Sequence, residues 1–230
     1  MRLFHASLAL AVFLAPLPAL ACSVASGYRV PTNLELAGDA DLILLGLVTD
    51  GEGDAAGPEA RRIEVHPVAV LKGELPAGAI RLPAMIAPDD AVQLSNPYDL
   101  KDAHPQSFAG ACTRYVFPRG TRVLFFLKQR GGDWHLAGGP FSRSAEDVLG
   151  DDAPWLQATR FYVDVAARPP ADRPALLAAR RDALMARGDD PIARLIAADI
   201  DRQLAGPNEP LREDLPPPPD ESDPVPATIE

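Results

Sequence analysis

Two cysteines and four histidines are the residues of this chain best suited to covalent, metal or acid–base chemistry, and they are widely scattered. His5 sits in the first apolar stretch, His66 precedes Pro67 in a β-prone run, His104 falls in a proline-rich segment and His135 follows Trp134. Asp99, Asp102 and His104 form the one acidic and imidazole cluster. It lacks the ligand spacing of a known metal site and reads as a solvated loop. No His-Glu-x-x-His, Cys-x-x-Cys, Gly-x-Ser-x-Gly or phosphate-binding glycine loop occurs. The expectation is a chain with no catalytic residue, no metal ligand and no cofactor. The alternative is a hydrolase whose site is assembled from distant residues around the long loop, which motif searches miss.

Cys22 takes its meaning from what precedes it. Residues 1–21 read as a secretory signal peptide, with Arg2 as the positive region, Leu8 to Leu17 as the apolar core and Ala19-Leu20-Ala21 as the small-x-small cleavage site. The apolar run contains Pro16 and Pro18 and is short for a bilayer span. The protein is therefore expected to be exported, periplasmic or secreted, with Cys22 as its first mature residue. A cysteine there is either the acceptor of a lipoprotein anchor or half of a disulfide. The preceding triplet puts its large residue one place late for a lipid signal. An even cysteine count in an exported chain favours pairing with Cys112.

A formal net charge of −10 argues against nucleic acid and anionic membrane surfaces as general partners, although a compact basic patch can sit within an acidic total. No second stretch is apolar enough to span a membrane.

The elements that would position these residues begin with the stretch Ala40 to Gly73. Leu42 to Val48 is a near-continuous apolar run, bounded by acidic residues and followed by a Gly/Asp-rich break at Asp50 to Gly57. Ile63, Val65, Val68 and Val70 then alternate up to Lys72-Gly73. This predicts two antiparallel strands, the first buried on both faces and the second half-buried. Ahead of them, Thr32-Asn33-Leu34-Glu35 predicts a capping box on a short helix ending at Gly38 in a left-handed turn. A third strand is expected at Ala79 to Leu82, then a long segment of little periodicity from Pro83 to Gly110. Beyond Cys112, Val123 to Leu127 reads as a strand joined through Gly131-Gly132 to another at Trp134 to Ala137. Short strands with a long excursion before the fourth suit a five-stranded open barrel.

In order and spacing, Cys22, Ala40-Asp41 with an apolar strand ending Gly46-x-Val48, Val70-Leu71-Lys72-Gly73, and Cys112 with Phe117-x-x-Gly120-x-x-Val123-Leu124-Phe125 resemble the netrin-like module. The tissue inhibitors of metalloproteinases and a set of bacterial exported proteins are similar. The resemblance covers about residues 22–140. It implies an oligonucleotide/oligosaccharide-binding (OB)-type barrel and a Cys22–Cys112 bridge. In the inhibitors the mature amino-terminal cysteine binds the protease zinc, which makes Cys22 and Ser23 candidate binding residues here, although Val24 stands where those inhibitors have a second cysteine. The function so implied is an exported, non-catalytic interaction module with a protein partner, a protease being one candidate. Metalloprotease inhibition through the Cys22 amino terminus is the alternative.

From Asp151 the composition turns to Ala, Arg, Leu and Asp with helical spacing. Residues 141–206 are expected to be a linker and helical extension of three helices. The first enters through Asp152 and Pro154, the second through Asp172 up to Gly188, and the third runs from Asp190-Pro191 to Gly206. Arg180, Arg181 and Arg187 read as a solvated face. Residues 207–230 hold eight of the 25 prolines and seven acidic residues against one arginine. They read as a disordered tail. The fold class predicted is thus α+β: a five-stranded open OB-type β-barrel, a C-terminal helical region and a disordered tail.

Overall fold

The computed structural model describes residues 24–52, 61–88 and 92–212. Cys22, Ser23, the signal peptide and most of the acidic tail lie outside them. The chain is α+β. Helix α1 (Asn33–Asp39) precedes the strands β1 (Leu42–Glu52), β2 (Arg62–Lys72), β3 (Ile80–Pro83), β4 (Met85–Ile86), β5 (Val116–Phe117), β6 (Arg122–Arg130), β7 (Asp133–Leu136) and β8 (Ala145–Asp147). Helices α2 (Pro154–Ala166), α3 (Arg173–Met185) and α4 (Pro191–Leu204) follow.

The main sheet runs β3-β2-β1-β6-β7, with β8 added on β6. All of its pairings are antiparallel. It curls so that its outer strands β3 and β7 approach each other. The continuous apolar run of β1 has a direct cause in this curl. Leu42, Leu44 and Val48 point into the concave side with Ile63, Val65, Val123 and Phe125, while Ile43 and Leu45 meet the helices with Leu124 and Phe126. Both faces of the Leu42–Val48 run are dry, so neither carries polar residues there. β2 is half-buried as expected: Ile63 and Val65 are buried, whereas Val68 and Val70 are exposed.

β1 is longer than its apolar run, extending through Asp50 and Gly51, which pair with Glu64 and Ile63. The break expected from Asp50 is thus absent at Asp50 to Glu52, because ladder pairing overrides turn propensity there; residues 53–57 lie outside the described residues. At the centre of β1, Gly46 has no room for a side chain. An added Cβ would lie 2.3 Å from Val65 Cγ1 and 2.8 Å from Leu44 Cδ1.

The capping box forms as read. Thr32 Oγ1 accepts from the Glu35 amide and the Glu35 carboxylate accepts from the Thr32 amide. The stop differs: the helix runs through Gly38 to Asp39 and ends at Ala40 in extended backbone. The chain must pass straight into β1, and the Lys72 ammonium bonds the Ala37 and Gly38 carbonyls in place of a left-handed cap. Gly131 and Gly132 both take positive φ, 60° and 96°, as the tight hairpin requires.

In the helical layer, Asp190 accepts from the Ile192 and Ala193 amides, whereas Asp172 makes no side-chain cap. Trp155, Tyr162, Val165, Leu177, Leu184, Ile196 and Ile200 share one core with Ile43, Leu45 and Phe126 of the sheet. The stretch expected to begin the tail is fastened at its start. The Asn208 side chain donates to the Val30 carbonyl, and Leu211 and Arg212 pair with Tyr28 and Gly27. Arg181 pairs with Asp182 and Asp201, and Arg187 with Asp190, on the exposed side.

Candidate functional site

The 83–110 segment is not a solvated loop. Met85 and Ile86 pair in parallel with Val116 and Phe117, Pro105–Phe108 forms a turn of 3-10 helix, and Ser95, Leu100, Ala103, His104 and Ser107 are buried. What holds the segment down is a pair of carboxylates on β8. Glu146 and Asp147 have side chains only 2% exposed. Charges so desolvated require partners.

Asp147 takes the Arg114 guanidinium at 3.0 Å and the Ser95 amide at 2.8 Å, while its own amide donates to Ser95 Oγ at 2.9 Å. Glu146 takes the His104 amide at 2.9 Å and lies 3.5 Å from the Arg143 guanidinium. Burial pushes the Glu146 carboxyl above its usual range, against the pull of Arg143. The two arginines also lie over rings, Arg114 at 4.5 Å from the Phe117 centroid and Arg143 at 4.9 Å from that of Trp155. A flat cation stacked on an aromatic face tolerates such surroundings better than an ammonium would.

His104 is fully enclosed. Its Nδ1 accepts from the Gln106 amide, which leaves the proton on Nε2 to donate to the Gln93 carbonyl at 3.0 Å. Burial, together with the Arg114 cation, depresses its pKa to about 4. Both ring nitrogens serve the backbone of the segment, so neither is available to a substrate.

The expected cluster does not converge. Asp99 bonds the Lys101 amide in its own turn, the Asp102 carbonyl accepts from Arg143, and His104 faces inward. Among the described residues no group of His, Cys, Asp and Glu could hold a metal ion. His66 lies exposed beside Glu64 at 2.8 Å, and His135 pairs with Lys128 in the β6–β7 hairpin.

Between β7 and β8 the chain leaves the sheet and comes back. Phe125 and Leu127 are neighbours on one face of β6, yet their partners Ala145 and Leu136 are separated by the whole excursion. Its base is closed by the Ala137 amide on the Phe126 carbonyl, the Phe126 amide on the Ser144 carbonyl and Ser144 Oγ on the Ala137 carbonyl. The excursion presents Phe141 and Arg143. Phe141 stacks on Phe108 with centroids 5.2 Å apart, and its amide bonds the Cys112 carbonyl at 2.6 Å. Phe141 and Cys112 both hold positive φ, 60° and 61°. Strained backbone of this kind, at a cost of about 1–3 kcal/mol each, persists where its surroundings impose it. Cys112 is not a free thiol.

A second buried network ties in the helices. Asp199, fully buried, takes Asn33 Nδ2 at 3.0 Å, the Tyr162 hydroxyl at 2.5 Å and Arg202 at 2.7 Å. Burial and the adjacent Asp199 charge push the Tyr162 phenol far up. Asn33 also donates to the Leu100 carbonyl, joining the long segment to α1 and α4.

Beside these networks a groove of about 650 Å³ is lined by Lys101, Phe108, Phe141 and Leu211 among others. No family model matches the chain, and no curated protein matches it.

Two outcomes follow from this geometry. Replacing Arg114 with Met strands a buried carboxylate and should lower unfolding free energy by about 3–5 kcal/mol in urea titrations. Adding Asp147→Leu should recover part of that loss; a double variant as unstable as the two losses summed would refute the pairing. The pH outcome concerns His104. Between the unperturbed imidazole value near 6.5 and about 4, the unfolded chain binds a proton that the native chain does not. Stability should therefore fall as pH is lowered across that window, by about 3 kcal/mol at most. In His104→Gln this component of the pH profile should be missing.

Proposed function

We propose that the chain is an exported, non-catalytic interaction module of netrin-like type that engages a protein partner through the 92–115 segment. The observation that carries this reading is where large apolar side chains are left in water. Val92, Leu94, Tyr98, Phe108 and Tyr115 are all exposed within this one stretch, Tyr98 by 79% and Phe108 by 58%. Exposed apolar groups gathered on one segment favour a protein contact. The segment is also braced from below by Glu146 and Asp147. A pre-ordered surface loses less freedom on binding.

Other features support the same reading. The curl of the five-strand path agrees with an OB-type barrel. The commitment of both His104 nitrogens to backbone groups removes the obvious acid–base residue of the segment. A Cys22–Cys112 bridge would fasten the mature amino terminus beside Phe141, next to the same segment.

A photoreactive amino acid placed at Tyr98, with one at Val68 on β2 as control, tests the partner face in the exporting cell. A protein adduct at position 98 that is absent at 68 and diminished by Phe108→Ala is expected. Equal labelling at both positions, or none at 98, would refute this face. The exported protein should also have an intact mass about two daltons below that of its reduced form. A diacylglycerol adduct on Cys22 would refute the bridge and the inhibitor alternative together.

A further inference from the structure

We propose that the groove between residues 101–108, the excursion at 138–143 and the strap at 208–211 binds a small monocarboxylate with an apolar body. Its volume of about 650 Å³ lies within the roughly 300–1,000 Å³ of small-molecule sites. Its walls are mainly apolar, with Val30, Ala103, Phe108, Phe141, Pro210 and Leu211 set among Lys101, Asp102, Asn208 and Glu209. The Phe108–Phe141 stack forms one wall, held by the strained backbone at Phe141.

The charge preference comes from the inner end. There a side pocket of about 30 Å³ shares Val30, Lys101, Phe141 and Asn208 with the groove, and it has room for about two water-sized groups. Arg143 lines this side pocket. It is 4% exposed, and its Nε–H is without an acceptor. A buried guanidinium N–H left unpaired is costly, and an oxygen anion entering the side pocket would relieve it. Lys101 lies at the junction of the two spaces, and its ammonium makes no ion pair or hydrogen bond among the described residues.

Asp199 also lines the side pocket, but Asn33, Tyr162, Arg202 and Gln203 already occupy its oxygens. It therefore presents no open acceptor there. Asp102 and Glu209 stand exposed on the groove wall. They disfavour a second negative charge on the ligand. Arg143 is already balanced by Glu146 and donates to the Asp102 carbonyl, so Lys101 is the cation that matches one carboxylate, with the Arg143 Nε–H as an added donor; a second carboxylate is unmatched. The site thus offers one ammonium and one buried guanidinium N–H to an anion within a chain of net charge −10. It shares Phe108 with the proposed partner face, but purified protein alone tests it, so its failure and that of the partner reading are distinguishable.

Calorimetric titration of the purified full exported chain with octanoate, 1-octanol and octanedioate tests the assignment. Octanoate should bind at one site, about tenfold tighter than either comparison ligand, the ratio that corresponds to one charge-assisted hydrogen bond. Lys101→Met and Phe108→Ala alter exposed side chains and should leave the unfolding temperature unchanged. Each should weaken octanoate about tenfold. Octanoate should also change the fluorescence of Trp155, whose ring lies under Arg143. The proposal is overturned by an absence of octanoate binding, by equal affinity for octanol, or by an octanoate affinity that Lys101→Met leaves intact. It is equally overturned if only an acidic peptide, and not octanoate, binds.

Discussion

Two adjacent carboxylates with no access to water dictate much of this architecture. Glu146 and Asp147 sit on a three-residue strand, and their oxygens must be met by donors brought from elsewhere. The donors come from Arg114, Arg143 and the amides of Ser95 and His104. All four of those positions belong to parts of the chain without long regular elements. Irregular backbone becomes ordered here because it solvates charge in place of water. Such an arrangement contributes less to net stability than an apolar core of equal volume would, but it admits few alternative packings.

The helical layer obeys the same logic on a smaller scale. Helices of 13 or 14 residues gain little from propensity and depend on the faces they bury. Leucine and isoleucine stripes permit sliding by a turn. Asp199 does not, because only one register brings it to Asn33 of α1 and Tyr162 of α2 together. Helices α1 and α4 and the long segment meet through Asn33, whose side-chain amide donates both to Asp199 and to the Leu100 carbonyl.

The regular part of this fold was legible because its signals are local. The apolar run of β1, the Thr32–Glu35 box, the Gly131-Gly132 hairpin and the Asp190-Pro191 start each reside within a few residues. The site was not. His104 drew attention as an acid–base or metal residue, yet the charges around its ring come from Arg114, Asp147 and Arg143, and Glu146 holds its backbone amide. The run Ser142-Arg143-Ser144-Ala145-Glu146-Asp147 looked like a polar linker, since a strand that buries two acids has no apolar alternation to betray it. Gly38 looked like a stop because a left-handed cap is the usual solution; the Lys72 ammonium, from a strand far along the chain, supplies another.

The excursion between β7 and β8 makes this edge of the sheet a graft point. Protein sheets usually vary in length at their hairpin tips, where a change leaves the register intact. Here the variable segment emerges from the flank of a strand, and β6 keeps its pairing on either side because Phe126 bonds both Ala137 and Ser144. Residues 138–142 thereby stand outside the ladder that carries them, whereas Arg143 stays tied to it through Glu146. Apart from Arg143, which Glu146 and Trp155 hold in place, the length and chemistry of this segment can be rewritten while the sheet stays as it is, so a related chain could change what it recognises without refolding its core.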